Sequence, residues 1–356
     1  MLKHYKIVIF SPGLNIGGIE KVFLNYASLL SETENEVLFL TCHEYSDLIN
    51  LIPKRVKYIN LRTNKLSRSL FQIIKFLRQE SPDFILTANA VAFIVLLAKY
   101  LAFSSVRIIA SHHNYINQEI HSFRDRFLLF KIYNLCWKII AVSTGIKKHL
   151  LKHGVISRKI EVITNPINTK EIDYKIKEKM IVTQSPYIVF VGRLSIVKNL
   201  CFLLRSFKYV LPRINHARLV IVGEGVERIK IEEEILRLGL HEQVILTGML
   251  ENPYPILSKA SLVVLPSYSE AFPTVLLESL YLGRTVVSTP TLGALEILRD
   301  GKLGYISKSF DDVVEFSNLL IKGLDSPFDP LFLRKEFELL YSPKKTVNKI
   351  LQLFDM

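Results

Sequence analysis

Two cations and two carboxylates in the second half of this 356-residue chain stand where short apolar runs give way to glycine or proline. The cations lie in Gly192-Arg193-Leu194-Ser195-Ile196-Val197-Lys198-Asn199, directly after the β-rich run Tyr187–Val191. Arg offers a planar fork of donors and Lys a mobile point charge, a pair suited to two adjacent phosphates. The carboxylates lie in Ser267-Tyr268-Ser269-Glu270-Ala271-Phe272-Pro273-Thr274-Val275-Leu276-Leu277-Glu278. On one helix they would sit about 80° out of register. Glu270 is therefore placed on a loop, and Glu278 two turns inside the helix whose first turn Pro273 suits. Carboxylates accept paired hydrogen bonds from sugar hydroxyls, and the helix N-terminus between them favours a phosphate. A Glu within the apolar run Val275–Leu280 is no ordinary solvated residue, because an unpaired buried carboxylate is costly.

The first half carries weaker signals. Gly17-Gly18 follows the run Lys6–Phe10 and the turn Ser11-Pro12-Gly13, and would let backbone N–H groups approach an anion. It is neither G-x-G-x-x-G nor a P-loop, and a plain tight turn explains it equally well. Ser111-His112-His113-Asn114 follows the run Arg107–Ala110, and a structural role suits either histidine as well as a reactive one. A further glycine turn, Gly223-Glu224-Gly225, closes the run Arg218–Val222.

The elements that must hold these residues alternate. Strands are expected at Lys6–Phe10, Glu36–Leu40, Val56–Asn60, Phe84–Thr87, Arg107–Ala110, Ile139–Val142 and Ile160–Ile163, with i, i+3, i+4 apolar segments such as Val22–Leu30 and Leu70–Leu77 between them. A polar, Lys-rich stretch after Asn165-Pro166 is read as a linker. Strands then resume at Tyr187–Val191, Arg218–Val222, Val244–Leu246, Leu262–Leu265 and Thr285–Ser288. The pattern predicts two doubly wound α/β domains, each a parallel sheet covered on both faces, with ligands beyond the strands' carboxyl ends and a cleft where the domains face each other. The expected boundaries are 1–168, linker 169–186, and 187–342, with a C-terminal helix at about 343–356 returning to the first domain.

Composition excludes other classes. At 49% hydrophobic and 22% charged, the chain is neither disordered nor of low complexity. Cys42, Cys136 and Cys201 are odd in number and far apart, which argues against a disulfide scaffold or a zinc ribbon. Met1–Phe10 is too short an apolar run for a signal peptide. Phe84–Phe103 has the length of a membrane span, but Thr87, Asn89 and Lys99 interrupt it, so it reads as a buried strand and then a core helix from about Ala90 to Ala102. The net charge of +13 is concentrated in residues 1–170, where 23 Lys and Arg face 11 Asp and Glu; the remainder holds 23 against 22. A basic half can meet nucleic acid, an anionic membrane or a phosphate-bearing substrate. The absence of a recognition motif ranks nucleic acid last.

Together these residues resemble the retaining glycosyltransferases of the GT-B fold, family 4 (glycosyl transferases group 1), over nearly the whole chain. The matching segments, in the family's order, are Gly17-Gly18-Ile19-Glu20, Asn165-Pro166-Ile167, Gly192-Arg193 with Lys198, Gly223-Glu224-Gly225, and the E-x7-E pair Glu270 and Glu278. Asn252-Pro253-Tyr254-Pro255 with the Ser267–Glu278 segment is similar to members that build bacterial surface polysaccharides on lipid carriers.

The resemblance implies that Arg193 and Lys198 neutralise a donor diphosphate, helped by backbone N–H groups at Phe272, Thr274 and Val275 and at Gly17 and Gly18. It implies that Glu278 holds the ribose and Glu270 the transferred sugar. His113, with His112 as its rival, would lie near the reacting sugar. No cofactor is expected beyond the nucleotide-sugar substrate, a UDP-sugar, and no metal: no two Asp are spaced as D-x-D. The implied acceptor is a lipid-linked saccharide, met by a peripheral enzyme on the cytoplasmic face of the membrane. A catalytically silent GT-B scaffold is the competing expectation. Two positions depart from the family pattern. Ala271 replaces a Gly, which bears on sugar selectivity, and Asn168 replaces an Asp, which bears on a linker contact.

Overall fold

A computed structural model describes residues 4–14, 17–42, 49–63, 66–88, 91–114, 130–179 and 186–356. Asn15, Ile16, Ala90 and residues 180–185 of the expected linker lie outside them. The chain divides into two compact units, Met1–Asn168 with Pro343–Met356, and Thr169–Ser342.

In the first unit β1 (Lys6–Phe10), β2 (Glu36–Thr41), β3 (Lys57–Asn60), β4 (Phe84–Ala88), β5 (Arg107–His112), β6 (Lys138–Ala141) and β7 (Ile160–Val162) form one parallel sheet in the order β3-β2-β1-β4-β5-β6-β7. Helices α1 (Gly18–Leu30), α2 (Leu70–Glu80), α3 (Val91–Ala102) and α4 (Thr144–Lys152) connect the strands. Strands buried on both faces need side chains that fill both, hence runs such as Ile7-Val8-Ile9-Phe10, fully buried.

The second unit begins with α5 (Thr169–Lys175). Its parallel sheet, β10-β9-β8-β11-β12-β13, uses β8 (Tyr187–Val191), β9 (Arg218–Val222), β10 (Val244–Gly248), β11 (Leu262–Leu265), β12 (Val286–Ser288) and the two-residue β13 (Tyr305–Ile306). Phe190, Phe202, Phe207, Ile221 and Phe316 are among its core residues.

In both sheets the strand order reverses beside the first strand, next to β4 in one unit and β11 in the other. At such a point the loops diverge and leave a crevice at the carboxyl ends.

Two sequence expectations change. The stretch read as linker starts with helix α5, anchored by fully buried Ile172 and by a 2.7 Å hydrogen bond from the Tyr281 hydroxyl to Asp173. The segment read as a core helix, α3, buries Ala92, Val95, Leu96 and Ala98 but exposes Phe93, Leu97, Tyr100 and Leu101 on its other side. Among the described residues no helix is long and apolar enough to cross a membrane.

Helix α13 (Pro343–Asp355), which follows α12 (Pro330–Tyr341), belongs to the first unit's core. Phe354 stacks on Phe84 of β4, ring centroids 4.5 Å apart, and the Tyr5 hydroxyl donates to Asp355.

Candidate active site

At the reversal point of the second sheet Lys198 meets Glu270, and the segments that carry Arg193 and Glu278 follow the same two strand ends. β8 and β11 are adjacent, in register Leu262 to Ile188 and Val263 to Val189, so the loops leaving their carboxyl ends are neighbours. After β8 the chain runs through exposed Arg193 into a short 3-10 turn, Ile196–Lys198. Asn199 ends that turn in the left-handed region, which Asn tolerates better than most residues, and opens α6 (Leu200–Lys208). The turn aims Lys198 across to the second loop, where its Nζ lies 2.5 Å from Glu270 Oε1. The Ser267 hydroxyl donates to the same carboxylate oxygen at 2.8 Å. Both partners of the ion pair are mostly buried, so solvent screens them weakly.

Gly223 and Gly225 hold the β8 loop from behind. Gly223 has φ +143°, and a Cβ on it would lie 1.9 Å from the carbonyl oxygen of Gly192. The Leu194 N–H donates to Glu224 O at 2.8 Å, and the Gly223 N–H donates to Gly248 O at 2.9 Å. The Gly-Glu-Gly turn is thus a backbone-on-backbone seat for the Arg193 loop. Glu224 itself turns outward to pair with Arg228, the first residue of α7 (Arg228–Leu238).

The second loop enters α9 (Thr274–Tyr281) through Pro273, which is the N-cap rather than a first-turn residue and supplies no side-chain cap. Phe272 is buried against Tyr341, so its side chain packs while its backbone shapes the loop. Ala271 is not among the left-handed residues, so its methyl brings no backbone strain. Gly293, in α10 (Leu292–Ile297), donates its N–H to Glu270 O at 3.0 Å, and any Cβ there would meet the Ala271 backbone at 2.8 Å.

Glu278, only 2% exposed, lies in α9 as expected. The Tyr254 hydroxyl approaches its Oε1 at 3.4 Å. Tyr254 opens α8 (Tyr254–Lys259), and its N–H is capped by the Asn252 side chain at 3.1 Å. Ser267, Tyr254 and Gly293 escaped assignment from the sequence. The signal for Tyr254 was its place in Asn252-Pro253-Tyr254-Pro255; Ser267 and Gly293 carried none. A cavity of about 460 Å³, lined by Ser195, Asn199, Arg205, Glu227, Lys230 and Tyr268 among others, opens beside this loop, and no cation or carboxylate assigned to the donor lines it.

In the first unit, Gly17 is an extended N-cap of α1 and its helix neighbour Gly18 has only open space where a Cβ would stand. Backbone geometry therefore does not demand either glycine. The Asn-Pro segment packs on α1: Pro166 O accepts from Asn25 at 2.9 Å, and Asn168 donates to Ser28 at 3.0 Å. His112 and His113 lie at and just past the end of β5 with different partners. His113 Nε2 lies 2.7 Å from the Ser111 hydroxyl, its ring edge-on to Phe23 of α1. His112 Nδ1 lies 2.9 Å from the Tyr133 hydroxyl, while its Nε2 is buried with no side-chain or backbone hydrogen-bond partner among the described residues, and its ring parallels His149 of α4. Burial pushes His113 down to about 4. Burial, with the neighbouring His113 and His149, pushes His112 down to about 3. Both rings are neutral at pH 7.

Two family models match in tandem. "Glycosyltransferase Family 4" matches residues 16–171 and "Glycosyl transferases group 1" matches residues 171–337. The chain belongs to this glycosyltransferase family, and its fold is GT-B. It is 27% identical to N-acetylgalactosamine-N,N'-diacetylbacillosaminyl-diphospho-undecaprenol 4-alpha-N-acetylgalactosaminyltransferase of Campylobacter jejuni, over 94% of this chain and 93% of that one. It is 22% identical to lipopolysaccharide 1,6-galactosyltransferase of Salmonella typhimurium, over 86% and 87% of the two chains. Its fold superposes on Anabaena HepE, solved with UDP and glucose, with a TM-score of 0.84 over 99% of this chain and 100% of that one, at 16% identity.

Proposed function

We propose that this glycosyltransferase moves a hexose or N-acetylhexosamine, with retention at the anomeric carbon, from a UDP-sugar to a hydroxyl of a lipid-linked saccharide in surface-polysaccharide synthesis. The observation that supports the donor half of this reading is the Lys198–Glu270 pair at the reversal point of the second sheet, with Glu278 buried in the helix that follows Glu270. The Campylobacter relative's undecaprenol-linked substrate supports the acceptor class, and the UDP in HepE supports the donor nucleotide.

In the proposed cycle Arg193 and Lys198 bind the diphosphate, and Lys198 leaves Glu270 for the phosphate oxygen on which charge develops. The uncapped first-turn N–H groups of α9, at Thr274 and Val275, add donors fixed before reaction. The N-terminus of α1 at Gly17-Gly18 offers a second such set. Glu278 accepts from the ribose hydroxyls. Glu270, freed from Lys198, accepts from hydroxyls of the transferred sugar. Attack comes from the leaving-group face, and the departing phosphate oxygen takes the acceptor's proton. No carboxylate serves as nucleophile, and no divalent metal is required, because fixed cations meet the leaving group's charge. His113 sits beside the reacting sugar as a neutral donor or acceptor. The basic first unit meets an anionic membrane at the cytoplasmic face, where lipid-linked acceptors lie.

Thermal-shift screening with UDP-, GDP- and ADP-sugars, followed by product mass and anomeric configuration by NMR, tests the reading. Stabilisation by a UDP-sugar and an α-linked product from an α-linked donor are expected. Failure to bind or hydrolyse any nucleotide sugar would favour the silent scaffold.

A further inference from the structure

Helices α2 and α3 pack side by side, α3 against β4 and β5 of the first sheet, and their outer surface is aromatic and cationic together. The guanidinium of Arg78 donates to Leu101 O at 3.1 Å, which clamps the two carboxyl-terminal ends and sets the exposed rows alongside each other. On α3 the exposed row is Phe93, Leu97, Tyr100 and Leu101, spaced i, i+4, i+7, i+8. On α2 and the turn before it, exposed Arg68, Phe71, Lys75 and Arg78 repeat at i, i+3, i+7, i+10. Ile73, Phe76 and Leu77 already supply the buried face of α2, so the outer aromatics are not surplus core.

Phe103 is a second, independent sign. It is 93% exposed, and it stands in the left-handed region with φ +54°, a conformation bulky residues avoid and where helices ordinarily end on Gly or Asn. An aromatic ring that is both strained and bare to water gains nothing for the isolated fold. Between Leu66 and Ala102 the carboxylates are Glu80 and Asp83, and both are engaged at the sheet: Glu80 by Lys6 and Lys57, Asp83 by the Lys6 N–H. Within residues 66–102 no further carboxylate accompanies the cations of the outer row.

We infer that this α2–α3 face is the surface that docks on the membrane, with Phe71, Phe93, Leu97 and Phe103 entering the headgroup boundary and Arg68, Lys75 and Arg78 meeting anionic lipid phosphates. The chemistry of the face fits a lipid interface, which takes aromatic rings and cations in one plane. The inference rests on the proposed lipid-linked acceptor, but its test needs no turnover.

The experiment is co-sedimentation of the full chain with vesicles of phosphatidylcholine alone or mixed with phosphatidylglycerol. The wild type is expected to bind the mixed vesicles more tightly. Phe103→Ser and Phe93→Ser are each expected to weaken that binding about tenfold. Lys75→Gln and Arg78→Gln are expected to weaken it about fivefold each and to erase the preference for anionic lipid. Each variant's melting temperature, and its shift on adding UDP, report whether the fold and the donor site persist. Variants that keep their fold and bind vesicles like the wild type would overturn the inference. So would a wild-type dimer that Phe103→Ser converts to monomer with vesicle binding unchanged, which would assign the face to a second copy of the chain. If UDP-sugars give no shift while vesicle binding still maps to these residues, the docking face stands and the donor reading falls.

Discussion

Lys198 and Glu270, 72 residues apart, neutralise each other across 2.5 Å at the ends of β8 and β11. The cation proposed for the leaving group and the carboxylate proposed for the sugar are thus each other's ligands in the structure. In the proposed cycle donor binding exchanges this pair for two new ones, phosphate with Lys198 and sugar hydroxyls with Glu270. The pair holds both side chains in place and keeps either from being buried alone.

Lys198→Ala should therefore cost both catalysis and stability. Loss of the leaving-group cation is expected to lower kcat by about 10²–10³. It also strands Glu270, so the double variant with Glu270→Gln should recover part of the lost stability, a coupling of about 1–3 kcal/mol. Steady-state kinetics and urea midpoints of the three variants check this. Additive stabilities would show that the pair does not matter.

The hydroxyl of Tyr254 near Glu278 predicts a ribose-specific effect. Tyr254→Phe keeps the ring and removes the donor that orients the carboxylate. The Kd for UDP should rise several-fold, by about 1 kcal/mol, the net worth of one ordinary hydrogen bond, since the contact is long at 3.4 Å. The 2'-deoxy and 3'-deoxy analogues should be affected less. Calorimetry with the three nucleotides decides, and an equal loss for all would assign Tyr254 to packing alone.

The buried histidines make stability fall in acid. Their folded pKa values lie below the ordinary 6.5, at about 3 for His112 and about 4 for His113. Below pH 6.5 the unfolded chain takes up protons that the folded chain refuses, so stability is full above that pH and is lost as pH drops toward 4. The limiting slope is about 1.4 kcal/mol per pH unit for each ring. Urea midpoints at a series of pH values should show it, and His112→Asn should flatten the curve. A midpoint that is level from pH 7 to pH 5 would exclude the assignment.

Gly223→Ala should unfold or loosen the second unit. Its Cβ would meet the Gly192 carbonyl at 1.9 Å from a backbone with φ +143°, and neither strand end can retreat from its sheet. A loss of about 3 kcal/mol or more is expected, read as a fall in Tm of about 6–12 °C. By contrast Gly18→Ala has room, so it should keep its Tm, and any loss of activity there would mark a ligand contact.

EDTA should leave transfer unchanged, since the proposed leaving-group charge is met by Arg193 and Lys198. Loss of activity restored by added Mg²⁺ or Mn²⁺ would refute the metal-free reading.

Much of the fold was legible because parallel strands buried on both faces are written as near-continuous apolar runs rich in Val, Ile and Leu. Lys6–Phe10, Tyr187–Val191, Arg218–Val222 and Leu262–Leu265 begin and end where the sequence indicated. Thr169–Lys175 was read as linker because it is polar, with Ile172 as its one buried residue. The two-residue strand Tyr305–Ile306 is too short to show a period. At the site, residue types and loop positions were readable, but their partners were not. Nothing local to Lys198 announces Glu270, and the two adjacent histidines differ in what faces them across the fold rather than in sequence. The outward face of α3 was hidden for a related reason: an apolar stretch reads as core until the sheet it packs on is known to cover only one side.

Phe354 stacked on Phe84 has a consequence for how the chain is made. The second unit is one uninterrupted segment and has all its parts once Ser342 has left the ribosome. The first unit, although begun earlier, lacks part of its core until Ile350, Leu353 and Phe354 arrive. Order of synthesis and order of completion are thus reversed: the second unit can close first, and the first unit is sealed only once Ile350, Leu353 and Phe354 have been made.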